Sequence, residues 1–434
     1  MTSRSKYNDV SIITLGCSKN TVDSEVLMRQ LQYGGINVNH NPEEVNAGKV
    51  IINTCGFIND AKEESIETIL KFANIRREGK ISKLIVMGCL SQRYRKELQT
   101  EIPEVDHFFG VDELPQILAT VGVNYRKELI GERLLTTPSH YAYLKISEGC
   151  NRKCAFCAIP LIRGKHHSKT IGEIVSETKF LAAKGVKELM IIAQDTTYYG
   201  LDIYGKKKLP ELIEKLTEVD GIEWIRLHYA YPAGFPSGLI DVMKSSSKIC
   251  HYLDIPVQHI SDKLLKSMHR GHTGKQTRRL LEQLRKQIPD IAIRTSIIVG
   301  FPGETKADFE ELKNFVKETK FDRLGIFTYS HEENTAAFKL TDNVQTSVKK
   351  NRADILMQLQ EEISLQLNRA KTGKVIKTII DRKEGDFWIG RSQYDSPEVD
   401  NEILIPGSYS LNPGNFYQIK ITSAEAFDLF GVPV

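Results

Sequence analysis

The sequence has little of several features that mark particular classes of protein. No apolar run approaches the roughly 20 residues that a membrane-spanning helix needs, so no association with a membrane is predicted. The net charge of +4 is too small to indicate a nucleic-acid-binding protein by itself. The first residues are polar and lack the apolar core of a secretion signal, which favours the cytoplasm. Disulfides are rare there, so the seven cysteines are predicted to be metal ligands or buried thiols.

Three of the cysteines, Cys150, Cys154 and Cys157, form a C-x3-C-x2-C motif. Three thiolates can hold three irons of a cubane cluster, whereas a closed site takes four. An open metal position is typical of a catalytic site. The spacing resembles that of the radical S-adenosylmethionine (SAM) superfamily, in which the open iron binds SAM. The alternative is a zinc site completed by His166 or His167, although zinc cysteines usually come as two distant pairs.

The other candidate ligands lie in the first 135 residues, where short apolar runs alternate with amphipathic helices. This pattern indicates a parallel sheet covered on both faces. The predicted strands, at about 11–17, 50–55 and 83–89, end in Cys17, Cys55 and Cys89. Because ligands bind outside the carboxyl ends of parallel strands, these thiols are expected to meet at one edge. Three unrelated buried cysteines are the alternative, but a glycine adjoins each one, which favours a second cluster.

Residues 140–345 again alternate strand and helix patterns, which favours a partial or full parallel barrel with its site at the carboxyl ends of the strands. Six strands are predicted, at 142–147, 188–193, 224–228, 252–255, 292–299 and 323–329. The candidate SAM contacts in this segment are Phe156, Gln194, Arg294, Ser296, Gly300 and Pro302. The turn at Gly300 would offer backbone amides to adenosine. Arg294 would either meet the SAM carboxylate or form a structural ion pair.

The last segment follows a helix predicted over 347–371. Short strands separated by Gly, Pro, Asn and Asp indicate a small antiparallel barrel of the OB-like kind. They are predicted at 375–381, 387–390, 402–405 and 416–422. The fold class is therefore α/β, with a small β-barrel at the end.

The whole chain resembles the radical SAM methylthiotransferases. The resemblance is carried by the six cysteines and by the strings LGCSKN (15–20), NTCGF (53–57) and 148–164. It implies a methylthiotransferase domain over 1–135, a radical SAM core forming a partial (βα)6 barrel over 136–365, and a TRAM domain over 366–434. It also implies two 4Fe–4S clusters, held by the two cysteine trios, with SAM as both radical source and methyl donor.

This family modifies either adenosine in tRNA (isopentenyl- or threonylcarbamoyl-adenosine) or the β-carbon of an aspartate in a small-subunit ribosomal protein, protein twelve, at the decoding centre. The strings at 16–20, 329–337 and 391–400 resemble the ribosomal-protein branch, which is the leading hypothesis. The tRNA branch is the alternative, and a non-catalytic iron–sulfur or redox-sensing protein is the third hypothesis. The substrate would be met free or on the ribosome. The resemblance further implies a low-potential electron donor, such as flavodoxin or ferredoxin, and a sulfide or persulfide source.

The charge of the last segment also bears on the substrate. Residues 371–434 contain seven Lys or Arg against nine Asp or Glu, a net charge of −2. A barrel that grips RNA should be basic, so direct RNA binding by the TRAM domain is not expected. Asp395, Glu398, Asp400 and Glu402 are instead predicted to face a basic protein partner, or else to lie in a solvated loop.

Overall fold

A five-stranded parallel sheet forms from the first hundred or so residues. The computed structural model describes residues 9–44 and 48–434. Within these, one unit comprises 9–137, 143–151 and 158–180, and another comprises 138–142, 152–157 and 181–434. The first elements of the first unit are β1 (Asp9–Thr14), α1 (Ser18–Tyr33), β2 (Asn37–His40), β3 (Lys49–Thr54), α2 (Asn59–Arg77), β4 (Lys83–Gly88), α3 (Cys89–Glu101), β5 (His107–Phe108) and α4 (Leu114–Thr120).

The strand order in this sheet is β2-β1-β3-β4-β5, and every neighbouring pair is parallel. Each face of the sheet carries its own apolar core: Ile51 belongs to one, and Val50 and Ile52 belong to the other. The near-continuous apolar strands predicted this arrangement correctly, because a strand buried on both faces has no polar side to show. The polar edge strand β2 and the two-residue β5 were not predicted, since neither has an apolar run.

The chain then forms five short or medium elements. They are β6 (Tyr141–Lys145), β7 (Ser147–Glu148), α5 (Ile159–Ile162), β8 (His167–Ser168) and α6 (Ile171–Ala183). Strands β7 and β8 pair antiparallel, with Ser147 opposite Ser168 and Glu148 opposite His167. The loop that carries the C-x3-C-x2-C motif lies between the two strands of this ribbon. The ribbon residues 147–148 and 167–168 belong to the first unit.

The second unit contains a parallel sheet in the order β13-β12-β11-β10-β9-β6, of which β6 contributes its first residues, 141–142, to this unit. Its remaining elements are β9 (Glu188–Ile192), α7 (Leu201–Tyr204), α8 (Leu209–Thr217), β10 (Trp224–Leu227), α9 (Ser237–Ser245), β11 (Ile249–Asp254), α10 (Asp262–Ser267), α11 (Gly274–Gln287), β12 (Ala292–Val299), α12 (Lys306–Thr319), β13 (Arg323–Thr328) and α13 (Thr346–Arg369). All six predicted strands and the predicted long helix are present, and the six-stranded order corresponds to the partial barrel.

The same unit ends in a closed five-stranded barrel of order β14-β15-β16-β18-β17. Its strands are β14 (Val375–Glu384), β15 (Phe387–Ser392), β16 (Glu402–Pro406), β17 (Phe416–Ala424) and β18 (Asp428–Pro433). The predicted small barrel is confirmed, with two differences. The fifth strand, β18, was not predicted, and it pairs parallel with β16 rather than antiparallel.

Buried charges join this barrel to the parallel sheet of the same unit. The Arg391 guanidinium lies 2.8 Å from the Glu188 carboxylate on β9 and 2.5 Å from the Asp381 carboxylate on β14. Asp381 also contacts His140 at 2.8 Å, and Arg226 donates to Glu188 at 2.9 Å. All five side chains are nearly inaccessible to solvent. Breaking such a network costs stability, because the loss of one member leaves a buried charge without its partner.

None of the helices in the described part of the chain combines the length and apolar character needed to cross a membrane. The predicted fold class is confirmed. The two packing units divide the chain differently from the predicted domains, because 143–151 and 158–180 pack with the first unit. The domain boundaries at 135/136 and 365/366 therefore stay a prediction.

Candidate functional site

Cys17, Cys55 and Cys89 lie at the carboxyl ends of three neighbouring strands of the first sheet. Cys17 stands three residues beyond the end of β1 and caps the start of α1. Cys55 follows directly after β3, and Cys89 is the first residue of α3, directly after β4. Because β1, β3 and β4 are adjacent and parallel, the chain delivers all three thiols to the same edge. This is the arrangement that the sequence predicted.

Glycines beside these cysteines allow the loops to approach one another. Gly16 has φ +88°, and a Cβ placed on it would lie 2.6 Å from the Cys55 Cβ. A Cβ on Gly56 would lie 2.6 Å from the backbone of Leu90, next to Cys89. Since real Cβ atoms do not come this close to other atoms, any larger residue would force the loops apart. The two glycines therefore allow the segments that carry Cys17, Cys55 and Cys89 to lie close together.

Asn20 is a connection between these loops that the sequence analysis missed. Its side-chain amide donates to the carbonyl of Leu15 at 2.8 Å and to the carbonyl of Thr54 at 3.1 Å, the residue before Cys55. Its side-chain oxygen lies 3.9 Å from the Cys89 sulfur. One buried amide thus touches all three cysteine-bearing segments. The string LGCSKN contained this residue, but sequence alone gave it no role.

The surroundings raise the pKa values of two of these thiols. Burial raises the pKa of Cys89 to about 12, and the charges of Cys17 and Cys55 add to the effect, while Arg163 opposes it. Burial also raises the pKa of Cys55, with Cys17 contributing and Arg163 again opposing. These mutual effects mean that the three thiols lie within electrostatic range of one another. The raised pKa values do not prevent these thiols from ligating a metal, because ligation deprotonates a thiol outright.

The second trio lies in the loop between β7 and α5. Cys150 belongs to the first unit, where its backbone N–H donates to the carbonyl of Gly164 at 3.1 Å. Cys154 and Cys157 belong to the second unit, where the N–H of Cys157 donates to the carbonyl of Cys154 at 3.1 Å. All three thiols are partly exposed. His166, the alternative zinc ligand, is buried and lies 3.0 Å from the hydroxyl of Ser168.

The Cys154 sulfur has two polar neighbours in the second unit that the sequence did not reveal. The Arg270 guanidinium donates to it at 3.3 Å, and the Tyr231 hydroxyl lies 3.6 Å away. The Tyr231 ring is held between Arg152, 4.0 Å from its centre, and Arg270, 4.2 Å from it. Cationic donors of this kind stabilise a thiolate. Arg270 is 116 residues from Cys154, so no local pattern could have paired them.

Among the residues that the structure describes, no three His, Cys, Asp or Glu side chains are grouped closely enough to share a single metal ion. Assignment of the six cysteines as cluster ligands therefore stays a prediction. Its structural support is the shared sheet edge of one trio and the Arg270 donor beside Cys154 of the other.

The candidate SAM contacts are spread over the second unit. Phe156 packs beside an apolar cluster that contains Ala155 and Phe301. Gln194 lies just beyond the end of β9, and Ser296 lies within β12. The Gly300 amide donates to the carboxylate of Glu304 within the same turn, so that turn is braced internally, and Pro302 lies within it. As SAM contacts, Gln194, Phe156, Ser296, Gly300 and Pro302 stay predictions.

For Arg294 the structure shows the structural ion pair, which was the alternative. Its guanidinium lies 2.7 Å from the carboxylate of Asp400 and 3.1 Å from the carbonyl of Val399. Arg294 is the third residue of β12, five residues before that strand ends. At about 3.3 Å per residue, this places it far from the carboxyl end where a ligand would bind. Its assignment as a SAM contact stays a prediction.

The predicted acidic docking surface was wrong for two of its four members. Asp395 is fully buried and pairs with Arg323. Asp400 has no exposed side-chain surface and pairs with Arg294. The reason is that strands β12 and β13 of the parallel sheet carry arginines that neutralise these carboxylates within the unit. Sequence counts charges but cannot tell a surface acid from one that is already paired.

The other two acids are also engaged. Glu398 accepts a hydrogen bond from the Tyr141 hydroxyl at 3.1 Å, and Glu402 lies 2.8 Å from the Arg382 guanidinium. The Arg382 guanidinium therefore offsets the charge of Glu402, whereas the neutral Tyr141 hydroxyl does not offset the charge of Glu398.

Comparison with known proteins identifies three regions. Residues 144–316 match the radical SAM superfamily, residues 9–110 match the uncharacterized protein family UPF0004, and residues 372–434 match the TRAM domain. Proteins named ribosomal protein uS12 methylthiotransferase RimO are similar over almost the whole chain. That of Christiangramia forsetii is 55% identical, covering 99% of this chain and 95% of the relative. That of Flavobacterium psychrophilum is 56% identical, covering 99% and 98%.

Solved structures share the fold at low sequence identity. The radical SAM methyltransferase TsrM from Kitasatospora setae has a TM-score of 0.54 and 14% identity, covering 87% of this chain and 81% of that one. The cobalamin-dependent SAM radical enzyme OxsB has a TM-score of 0.51 and 12% identity, covering 82% and 56%. At this identity the likeness concerns the fold alone.

Proposed function

The chain belongs to the RimO family of ribosomal protein uS12 methylthiotransferases, and we propose that it adds a methylthio group to the β-carbon of an aspartate in uS12, the small-subunit ribosomal protein at the decoding centre. It is a radical SAM enzyme that transfers a sulfur-containing group. The observation that carries the proposal is the meeting of Cys17, Cys55 and Cys89 at one sheet edge, in a chain that also has the C-x3-C-x2-C motif. One trio alone would account for SAM cleavage but not for sulfur delivery.

An iron–sulfur cluster and SAM are the cofactors of this superfamily. We propose two 4Fe–4S clusters, one held by Cys150, Cys154 and Cys157 and the other by the strand-end trio. Bound there, they would supply the radical chemistry and the sulfur that side chains cannot. General acid–base catalysis contributes only about 10²–10⁴-fold, too little for a C–H bond with no useful acidity, and radical chemistry is the work of a cofactor.

Side chains of this protein have three roles in the proposed reaction. The six thiols ligate iron. The Arg270 guanidinium donates to the Cys154 sulfur at 3.3 Å and orients that ligand, and the Tyr231 hydroxyl, which donates to the Arg270 carbonyl at 2.6 Å, fixes the Arg270 backbone beside it. Asn20 fixes the spacing of the strand-end loops through its bonds to Leu15 and Thr54. Ligand spacing of this kind has to be set before metal binds, because a loose trio loses affinity.

The partners in the proposal follow from the same chemistry. The substrate is uS12, either free or on the ribosome. A low-potential donor such as flavodoxin or ferredoxin supplies electrons, and sulfide or a persulfide supplies sulfur. We do not include RNA binding by the final barrel, because its segment carries a net charge of −2 and phosphate contacts need positive charge. The names of the full-length relatives favour the ribosomal-protein branch over the tRNA branch.

The test compares three single substitutions in anaerobically reconstituted protein. Cys55→Ala should abolish methylthiolation of uS12 while formation of 5′-deoxyadenosine from SAM continues. Cys154→Ala should abolish both. Cys250→Ala is the matched control, because this cysteine is fully buried in the second unit among Trp224 and Tyr252, and it should keep both activities. Product is measured by mass spectrometry of uS12 and of tRNA. Methylthiolated tRNA with unmodified uS12 would contradict the proposal.

A further inference from the structure

Arg163 lies beside the strand-end cysteines, although its place in the sequence follows the other motif. Its Nε donates to the sulfur of Cys89 at 3.4 Å, and only 2% of its side chain is exposed. Both residues belong to the first unit. Ala158, directly before α5, and Ile162, the last residue of α5, pack in one apolar cluster with Cys89, which holds the start of the Arg163 loop against α3.

Three partners besides the Cys89 sulfur fix the guanidinium. Nη1 lies 2.9 Å from the carboxylate of Asp23 and 2.9 Å from that of Glu148. Nη2 donates to the side-chain oxygen of Asn20 at 2.6 Å. With both ends of the planar fork held, the Nε–H is directed at the Cys89 sulfur without freedom to turn away. The same Asn20 amide holds the loops of Cys17 and Cys55, so Arg163 completes one hydrogen-bonded unit around the trio.

Arg163 supplies one of two positive charges that face the carboxylates of Asp23 and Glu148. Lys145 contacts the same two carboxylates, Asp23 and Glu148, and lies 2.8 Å from Glu148. Among these four side chains two cations thus face two anions, and the Asp112 carboxyl lies within electrostatic range of all four. Removing the charge of Arg163 leaves a net negative charge next to the Cys89 sulfur.

We propose that Arg163 is a positioning residue for the cluster of Cys17, Cys55 and Cys89, and that it raises the reduction potential of that cluster. Reduction adds an electron to a buried group, so a hydrogen-bond donor and a positive charge at a ligating sulfur stabilise the reduced form. Net charge and hydrogen bonds to the sulfurs are among the factors that set the potentials of such clusters. The inference rests on the second cluster of the proposed function.

The experiment isolates that cluster in the full-length chain. Cys150, Cys154 and Cys157 are replaced together by Ala, and the protein is reconstituted anaerobically with iron and sulfide. Iron content is measured first, followed by redox titration monitored by electron paramagnetic resonance. Arg163→Gln removes the charge and keeps a donor, whereas Arg163→Lys keeps the charge and loses the fork.

The matched control for these variants is Arg133→Gln. Arg133 is equally buried in the first unit and also bridges two carboxylates, Glu25 at 2.9 Å and Glu177 at 3.1 Å. Its hydrogen-bond and ion-pair partners within 9–44 and 48–434 include no thiol. A loss of stability common to any buried arginine would show in both glutamine variants. A change in cluster potential should show only at Arg163.

Arg163→Gln is expected to lower the potential by about 59 mV, which is a tenfold fall in the ratio of reduced to oxidised cluster for a one-electron couple. Arg163→Lys should fall between parent and Arg163→Gln, and Arg133→Gln should match the parent. The inference is overturned if the ratio of reduced to oxidised cluster in Arg163→Gln lies within a factor of two of the parent ratio at the same applied potential. If Arg163→Gln retains no iron, the Arg163→Lys potential decides in the same way. A triple-Ala parent without iron refutes the second cluster itself, and with it the proposed function.

Discussion

Arg294 allows a direct test between a ligand contact and a structural ion pair. In the structure its guanidinium lies 2.7 Å from the carboxylate of Asp400, whose side chain is fully buried. That carboxylate also accepts from the Tyr252 hydroxyl at 2.8 Å and from the Ser396 amide at 2.8 Å. If this pair is the role of Arg294, its loss should destabilise the second unit and leave SAM affinity unchanged.

The expected size follows from burial. Removing one member of a fully buried pair costs about 3–5 kcal/mol. Arg294 is 22% exposed, and Asp400 keeps two donors, so we expect Arg294→Gln to cost about 2 kcal/mol, which is below that range. Asp400→Asn should cost a similar amount. In the double variant the two losses should not add, and the interaction energy between the positions should be about 1–2 kcal/mol.

Urea unfolding followed by tryptophan fluorescence measures these values. Both tryptophans of the chain, Trp224 and Trp388, lie in the second unit, so the signal reports on the unit that holds the pair. SAM binding is measured on the same proteins by equilibrium dialysis. The reasoning is refuted if Arg294→Gln leaves the unfolding midpoint unchanged and weakens SAM binding several-fold, because Arg294 would then be a ligand contact.

Two further predictions concern acid stability and the motif loop. Burial opposes ionisation of Asp381, but Arg391 and His140 outweigh it and lower its pKa from 3.8 to about 2. The stability that the ionised Asp381 contributes is present above pH 3.8 and is lost as the pH falls through about 2. Asp381→Asn should therefore cost roughly 2 kcal/mol of unfolding free energy at pH 7 and progressively less from pH 4 to pH 2 in the fluorescence assay. A difference in unfolding free energy between parent and variant that does not change with pH would contradict this prediction. Gly149→Ala should lose cluster iron from the C-x3-C-x2-C site, because φ is +72° and the new Cβ would lie 2.1 Å from a backbone carbonyl oxygen. The control Gly164→Ala, with φ +68° and open space around the new Cβ, should keep most of that iron. Equal iron content in the two variants would show that the close approach at Gly149 has no role.

Much of the fold could be predicted because it depends on local patterns. Buried parallel strands such as Val50–Ile52 are apolar without interruption, and the long helix α13 has a helical period, so both were found with nearly the right bounds. Strand β2 was missed because it is polar and partly exposed. Strand β18 was missed because its pairing with β16 and β17 comes from the closure of the barrel. Edge and closing strands take their conformation from neighbours that are distant in sequence.

The amino-acid sequence by itself determined the two trios of cysteines, their places after predicted strands and the resemblance to a family, because spacing and strand order are local properties. Only the tertiary structure decided which charged residues contact the cysteines and which pair with one another. Arg163 is 74 residues from Cys89, Arg270 is 116 from Cys154 and Arg294 is 106 from Asp400. Ion pairs and hydrogen bonds act over a few ångströms of space regardless of the length of chain between the partners, so only folding could assign them.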